Sequence, residues 1–322
     1  MPFSPKSFSS KKEFKMKTAF LFSGQGAQYV GMGQELYQQE SSVQKTFTEA
    51  SEMLGYDMTE LCFTENDRLN QTEYTQPAIL TVSVAFWRLL KEKGLQADAL
   101  AGLSLGEYSA LVASGALDFQ TAVALVQKRG KFMANAAPQG VGKMVAVMNT
   151  PAETIEAICK EASQVGIVSP ANYNTPQQIV IGGEVAAVDQ AVQLLQAAGA
   201  KRMIPLNVSG PFHTKLLEPA SKQLAQELAK IEIKDLQVPV ISNTTAKPMK
   251  QEQVKELLEK QVKSPVRFYE SIEQLKQMGI EQMIEIGPGK VLTGFLKKID
   301  KTIAASRVED AQTLFDTLSR FD

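Results

Sequence analysis

Leu95-Gln96-Ala97-Asp98-Ala99-Leu100-Ala101 reads as a short buried strand that runs into Gly102-Leu103-Ser104-Leu105-Gly106 and then Glu107-Tyr108-Ser109-Ala110-Leu111-Val112-Ala113, a good helix former. The order is strand, sharp turn, helix. Gly-x-Ser-x-Gly at such a junction is the nucleophile elbow, in which small flanking residues let a serine occupy a strained turn with its hydroxyl pushed out of the sheet. An ordinary turn can carry the same letters. The strand before it and the helix after it are the context that the elbow requires, and a helix start at Leu105 would aim backbone N–H groups at any oxyanion formed beside Ser104.

Working outward, Thr18 to Ser23 is a short apolar run that ends at Gly24-Gln25-Gly26, as a buried strand ends in a tight turn. Apolar residues at helical spacing run from about Gln76 to Lys93. Beyond His213 the pattern predicts helices at about 216–230, 251–261 and 268–278, strands at 238–242 and 282–286, and a last helical segment after Gly287-Pro288-Gly289. This alternation implies an α/β fold: a mostly parallel sheet with helices on both faces, an α/β-hydrolase-like core.

The stretch from about Lys143 to Val208 has a different rhythm. Strand 144–148, a helix opening at the capping-box pattern Thr150-Pro151-Ala152-Glu153, strands 167–173 and 178–181 split by Asn174-Thr175-Pro176, a helix at 184–198 and strand 202–208 give the order βαββαβ. That order predicts an inserted ferredoxin-like subdomain. The expected division is therefore a large catalytic unit, 16–140 and 209–322, interrupted by a small unit, 141–208. Met1 to Lys15 holds four Ser and four Lys with no long apolar run, and is expected to be a disordered leader.

Composition narrows the function. The 322 residues carry 34 Lys+Arg against 35 Asp+Glu, a formal charge of −1, which disfavours nucleic acid or an anionic membrane as the main partner. Cys62 and Cys159 cannot build a disulfide framework, which fits a reducing, cytoplasmic setting. With one histidine and two scattered cysteines in the chain, no structural zinc or multi-histidine metal site is expected; a carboxylate-held magnesium stays possible, and an acyl transfer through a serine calls for no cofactor. Two nucleotide fingerprints fail at Gly24-Gln25-Gly26: a dinucleotide loop needs glycine where Tyr29 stands, and a P-loop needs Lys-Ser/Thr where Met32-Gly33 stands.

A serine hydroxyl is a weak nucleophile near neutral pH and needs a base within reach. His213, in the turn Ser209-Gly210-Pro211-Phe212-His213-Thr214, is the only imidazole available. Arg129 supplies a substrate clue. On a helix opening at Asp118, residues Ala122, Val126, Arg129 and Met133 fall within about 60° of one another, which puts a guanidinium on the apolar stripe. Such a cation needs a partner, either a protein carboxylate or a planar carboxylate that arrives with the substrate.

Taken together, these residues resemble the malonyl-CoA:acyl carrier protein transacylase family. The likeness rests on Phe22-Ser23-Gly24-Gln25-Gly26-Ala27-Gln28, Thr75-Gln76-Pro77-Ala78, Gly102 to Ser109, Arg129-Gly130-Lys131-Phe132-Met133, Phe212-His213 and Glu285-Ile286-Gly287-Pro288-Gly289. The resemblance implies that Ser104 carries the acyl group and His213 is the general base. It further implies that Arg129 holds the malonyl carboxylate, that the N–H groups of Gln25 and Leu105 form the oxyanion hole, and that a backbone carbonyl at Gln261 orients the histidine. Malonyl-CoA and acyl carrier protein are the implied partners, with a single copy of the chain sufficing. Leu103 stands where the family commonly has histidine, a departure expected to alter packing and not activity. Phe212 resembles the bulky neighbour of malonyl-selective relatives.

Two other readings compete. A serine hydrolase would carry an acid partner for His213, for which Asp189 has a suitable place in the chain order. A non-enzymatic acyl-CoA binder would need no activated serine at all.

Overall fold

The computed structural model describes residues 16–138, 140–208 and 210–321; the leader expected at 1–15 lies outside the described residues. In chain order the elements are β1 (Thr18–Phe22), α1 (Gln34–Gln39), α2 (Ser41–Leu54), α3 (Met58–Phe63), α4 (Thr72–Glu92), β2 (Ala99–Gly102), α5 (Gly106–Ala113) and α6 (Phe119–Ala136). There follow β3 (Gly142–Met148), α7 (Ala152–Ala162), β4 (Val168–Thr175), β5 (Gln178–Glu184), α8 (Val185–Ala197) and β6 (Arg202–Pro205). The chain closes with α9 (Glu218–Ala229), α10 (Val254–Gln261), α11 (Phe268–Gln277), β7 (Gln282–Ile286), α12 (Val291–Ile299), β8 (Ala304–Val308) and α13 (Ala311–Leu318).

Every residue of β1 is buried, so this strand must be covered on both faces. Its side chains alternate accordingly. Phe20 and Phe22 join Leu100, Ile284 and Ile286 in a core shared with α2, α4 and α6, while Ala19 and Leu21 join Ala99, Ala101 and Met283 beneath α11 and α12. Burying each such large side chain contributes about 1.5–3 kcal/mol. The sheet order is β2-β1-β7-β8, with each neighbouring pair parallel. The carboxyl end of β2, beside that of β1, delivers the chain to Ser104.

A second sheet, antiparallel and ordered β4-β5-β3-β6, carries α7 and α8 on one face. Val145, Val147, Ile179 and Ile181 pack on these helices; Met144, Ala146 and Val180 point the other way, into the main core. The element order βαββαβ is the one that the sequence predicts. Hydrogen bonds from Tyr173 N–H to Val266 O (2.8 Å) and from Val266 N–H to Ala171 O (2.9 Å) tie β4 to the segment ahead of α11.

Several local expectations need correction. The strand expected at 238–242 reduces to isolated bridges: Pro239 and Ile241 bond Leu100 at the outer edge of β2, and Pro239 has no N–H to extend the ladder. The capping box at Thr150 does not form. Pro151 is itself the N-cap, with no side-chain cap, and Thr150 Oγ1 turns back to donate to Met148 O. Helix α4 begins four residues earlier than expected, because Thr72 and Thr75, polar and invisible to apolar periodicity, are buried. Finally, β8 and α13 follow the last predicted helix; Asp310 caps α13 by accepting from Thr313 N–H.

Candidate active site

The elbow forms because of what its glycines lack. A Cβ on Gly102 would collide with the backbone of Gly106 and Glu107, and one on Gly106 would collide with the Phe22 carbonyl, so β1, β2 and α5 can approach only with glycine at both positions. Ser104 sits between them with φ of 54°, a left-handed conformation that a non-glycine residue adopts at a cost. His213 is also left-handed, at φ 61°.

This geometry brings the two together across 109 residues, with Ser104 Oγ 2.7 Å from His213 Nε2. On the other side of the ring, Nδ1 lies 2.8 Å from the Gln261 backbone carbonyl. A carbonyl oxygen only accepts, so Nδ1 carries the hydrogen; in a neutral imidazole Nε2 is then free to accept from the serine. Burial, and then the nearby charge of Arg129, push the His213 pKa down to about 4, while the Gln261 and Ser264 backbone groups oppose the shift. The imidazole is therefore neutral, and able to take a proton, at physiological pH.

Arg129 falls where the helical stripe places it, 1% exposed, on the buried face of α6 with Ala122, Val126 and Met133. Lys128 points away and pairs with Glu227 at the surface. Gly130 lets α6 press against the backbone of Thr72 and Glu73 in α4, which brings Gln76 within reach of the guanidinium. Nη1 donates to Gln76 Oε1 at 2.8 Å, and Nη2 donates to Gln261 Oε1 at 3.0 Å and to Ser104 Oγ at 3.2 Å. Among the described residues Arg129 makes no ion pair. Burial pushes the nearby Glu107 carboxyl up to about 8, opposed by the Asn243 N–H, the Gln261 side chain and the Arg129 charge. Two glutamine oxygens and the serine hydroxyl accept from this guanidinium, whose Cζ also lies 5.2 Å from the centre of the Tyr108 ring.

Ser104, His213 and Gln25 open onto one cavity of about 160 Å³, also lined by Leu103, Met133, Met144, Asn172, Asn174, Val180 and Phe212. The cavity lies between the two sheets' units, since Met144 and Val180 come from β3 and β5. Leu105 is the N-cap of α5, beside Ser104. Gln25 donates from Nε2 to Thr72 Oγ1 at 3.1 Å, which fixes its loop against α4. Asp189, the acid considered for a hydrolase triad, lies on α8 and pairs with Lys143, while the Nδ1 side of His213 is occupied by the Gln261 carbonyl. No group of three or more His, Cys, Asp or Glu side chains among the described residues could hold a metal ion. No helix among them is long and apolar enough to cross a membrane.

Gln76 and Asn243 belong to this site although residue patterns alone assign them no role. Gln76 carries a faint signal, an amide within a run of buried helical positions. Asn243 carries none, because its contacts lie 139 and 141 residues away in the chain.

The acyl transferase domain family matches residues 19–314 of the chain. The malonyl CoA-acyl carrier protein transacylase of Bacillus subtilis (strain 168) is 46% identical over 301 residues, an overlap that covers 92% of this chain and 95% of the relative. The crystal structure of MCAT from Streptococcus pneumoniae superposes with a TM-score of 0.93 at 62% identity, covering 94% of this chain and 100% of that one. A malonyl-transacylase solved in complex with its type II PKS acyl-carrier protein gives a TM-score of 0.92 at 44% identity, covering 94% and 99%.

Proposed function

Because the chain belongs to the malonyl CoA-acyl carrier protein transacylase family of acyl transferases, we propose that it moves a malonyl group from malonyl-CoA to the phosphopantetheine thiol of acyl carrier protein, in fatty acid biosynthesis, by way of a malonyl ester on Ser104. The observation that carries the substrate class is the buried Arg129 cation, which two glutamine side chains hold and which forms no ion pair with a carboxylate among the described residues. A malonyl carboxylate matches its planar donor fork.

In the first half-reaction His213 Nε2 takes the hydroxyl proton as Ser104 Oγ attacks the thioester carbonyl. The Gln261 carbonyl keeps Nδ1–H in place and supports the imidazolium that forms. The oxyanion is received by the N–H groups of Gln25 and Leu105; the latter heads a helix whose first N–H groups have no partner within the helix. As the C–S bond breaks, His213 returns the proton to the departing CoA sulfur. The second half-reaction is the reverse, with the carrier thiol giving its proton to His213 and taking the malonyl group from Ser104. Leu103 and Phe212 shape the acyl end of the cavity.

We read residues 16–140 with 209–322 as the catalytic unit, α/β-hydrolase-like in its core, and 141–208 as an inserted ferredoxin-like unit whose inner face closes the cavity. All the proposed site residues come from one chain, which supports action as a single copy. Intact mass after brief exposure to malonyl-CoA tests the reading: the chain should gain one malonyl group and lose it when acyl carrier protein is added. Free malonate as the dominant product with and without carrier would replace transfer by hydrolysis.

A further inference from the structure

Ser104 occupies a left-handed turn in which its carbonyl accepts from Glu107 N–H at 3.1 Å, and both of its backbone polar groups are held in addition by side chains from distant segments. Its N–H donates to Asn243 Oδ1 at 2.6 Å, and its carbonyl accepts from Gln261 Nε2 at 2.9 Å. The same Asn243 side chain donates from Nδ2 to the Gly102 carbonyl, also at 2.6 Å. One planar amide therefore spans the turn, gripping the last residue of β2 and the nucleophile itself.

Asn243 is in turn fixed at both of its own peptide groups. Its N–H donates to Glu107 Oε2 at 2.6 Å, and its carbonyl accepts from Arg267 N–H at 2.8 Å. Glu107 lies in the first turn of α5, so the chain on both sides of Ser104 closes onto one residue. The asparagine is fully buried, as is Glu107.

We propose that Asn243 is a positioning residue for acyl transfer, whose side-chain amide spans the Ser104 elbow and sets the nucleophile against His213 and the incoming carbonyl. This deepens the acyl-transfer reading and rests on it. An elbow free to relax out of the left-handed region swings Oγ away from Nε2, and a displacement near 1 Å costs on the order of 10²-fold in rate. The acyl group and its carboxylate are untouched by Asn243, so binding should not change with it.

The test measures single-turnover formation of the malonyl ester per folded molecule in two variants. Asn243→Ala should slow ester formation by about 10²-fold, equally for malonyl-CoA and acetyl-CoA, with KM changed by less than about threefold. Asn243→Asp keeps the shape and the acceptor for Ser104 N–H, and can donate to Gly102 O only while protonated. Its rate relative to wild type should therefore fall as pH rises from about 6 to about 9. Glu107 lies against Asn243, so a carboxyl at 243 titrates together with it and the ratio reports the pair.

An Ala variant within about twofold of wild type, or an Asp variant that matches wild type across this pH range, overturns the assignment. If the Ala variant fails to fold, the Asp ratio decides alone. Wild type run alongside separates the two claims. No ester on wild-type Ser104 defeats the acyl-transfer reading itself, whereas a normal wild-type ester with unimpaired variants defeats only the role of Asn243.

Discussion

Ser104 and Arg129 stand 3.2 Å apart, yet the chain delivers them by opposite means. Ser104 comes on a three-residue turn between β2 and α5, with its backbone forced to φ 54°. Arg129 comes from the interior of an eighteen-residue helix in regular geometry. The cost on the nucleophile's side is conformational; on the cation's side it is desolvation. Each is offset by amide side chains from far along the chain: Asn243 and Gln261 for the turn, Gln76 and Gln261 for the guanidinium. Gln261 serves both, and its backbone carbonyl also holds His213, so one residue couples base, nucleophile and clamp. On the proposed reading, attack depends on a braced strain, and recognition on a cation that no ion pair neutralises among the described residues.

The sharpest break between the two sides comes from removing only the nucleophile. Ser104→Ala should abolish the covalent malonyl adduct while the protein still binds malonyl-CoA through Arg129, read by intact mass and by calorimetric titration. An adduct that survives would move the chemistry elsewhere. Next in size, Gly102→Ala attacks the turn and spares the clamp. Its Cβ meets the Gly106 and Glu107 backbone, so a loss of about 1–3 kcal/mol in stability is expected together with a large fall in ester formation. Thermal melts and single-turnover rates check both, and an unperturbed variant would show that the close approach is not required.

The mildest perturbation, which changes no residue, is a titration. Burial and Arg129 hold the His213 pKa at about 4 against an ordinary value of 6.5, so the folded protein favours the neutral ring. As pH falls from 6.5 toward 4 the unfolded chain binds a proton that the folded one refuses, and stability should fall by up to about 3 kcal/mol. With one histidine in the chain, its imidazole resonances need no assignment. They should show a neutral ring with Nδ1 protonated down to about pH 5. An ordinary midpoint near 6.5 would mean that the ring is not buried beside a charged guanidinium.

The two sides also differ in how far the sequence discloses them. The elbow is a local pattern, since Gly102, Ser104 and Gly106 act on one another across a few residues. Arg129 is legible through periodicity, because the same 100° step that buries Ala122 and Met133 must bury it. His213 is legible by elimination. Leu105 is legible as a helix start beside the serine, whereas Gln25 and Gln261 came only with the family resemblance; nothing in their spacing announces a free N–H or a carbonyl aimed at a ring. Asn243 stayed hidden because its role exists only once β2 and the loop after residue 241 lie side by side. The same cause explains the strand misread at 238–242, whose pairing at the sheet edge is cut short by Pro239. Thr150 misled in the opposite sense: its capping-box letters were present, but its hydroxyl bonds backward to Met148.

The central claim is that Arg129 keeps its charge unbalanced for a visiting carboxylate. It is tested most directly by comparing ester formation from malonyl-CoA and acetyl-CoA in wild type and Arg129→Ala. Losing a buried charge partner costs about 2–5 kcal/mol, so malonyl transfer should fall roughly 100-fold or more while acetyl transfer changes by only a few-fold. Equal losses on the two substrates would contradict it, and would make Arg129 a structural support of the serine and not the seat of the malonyl group.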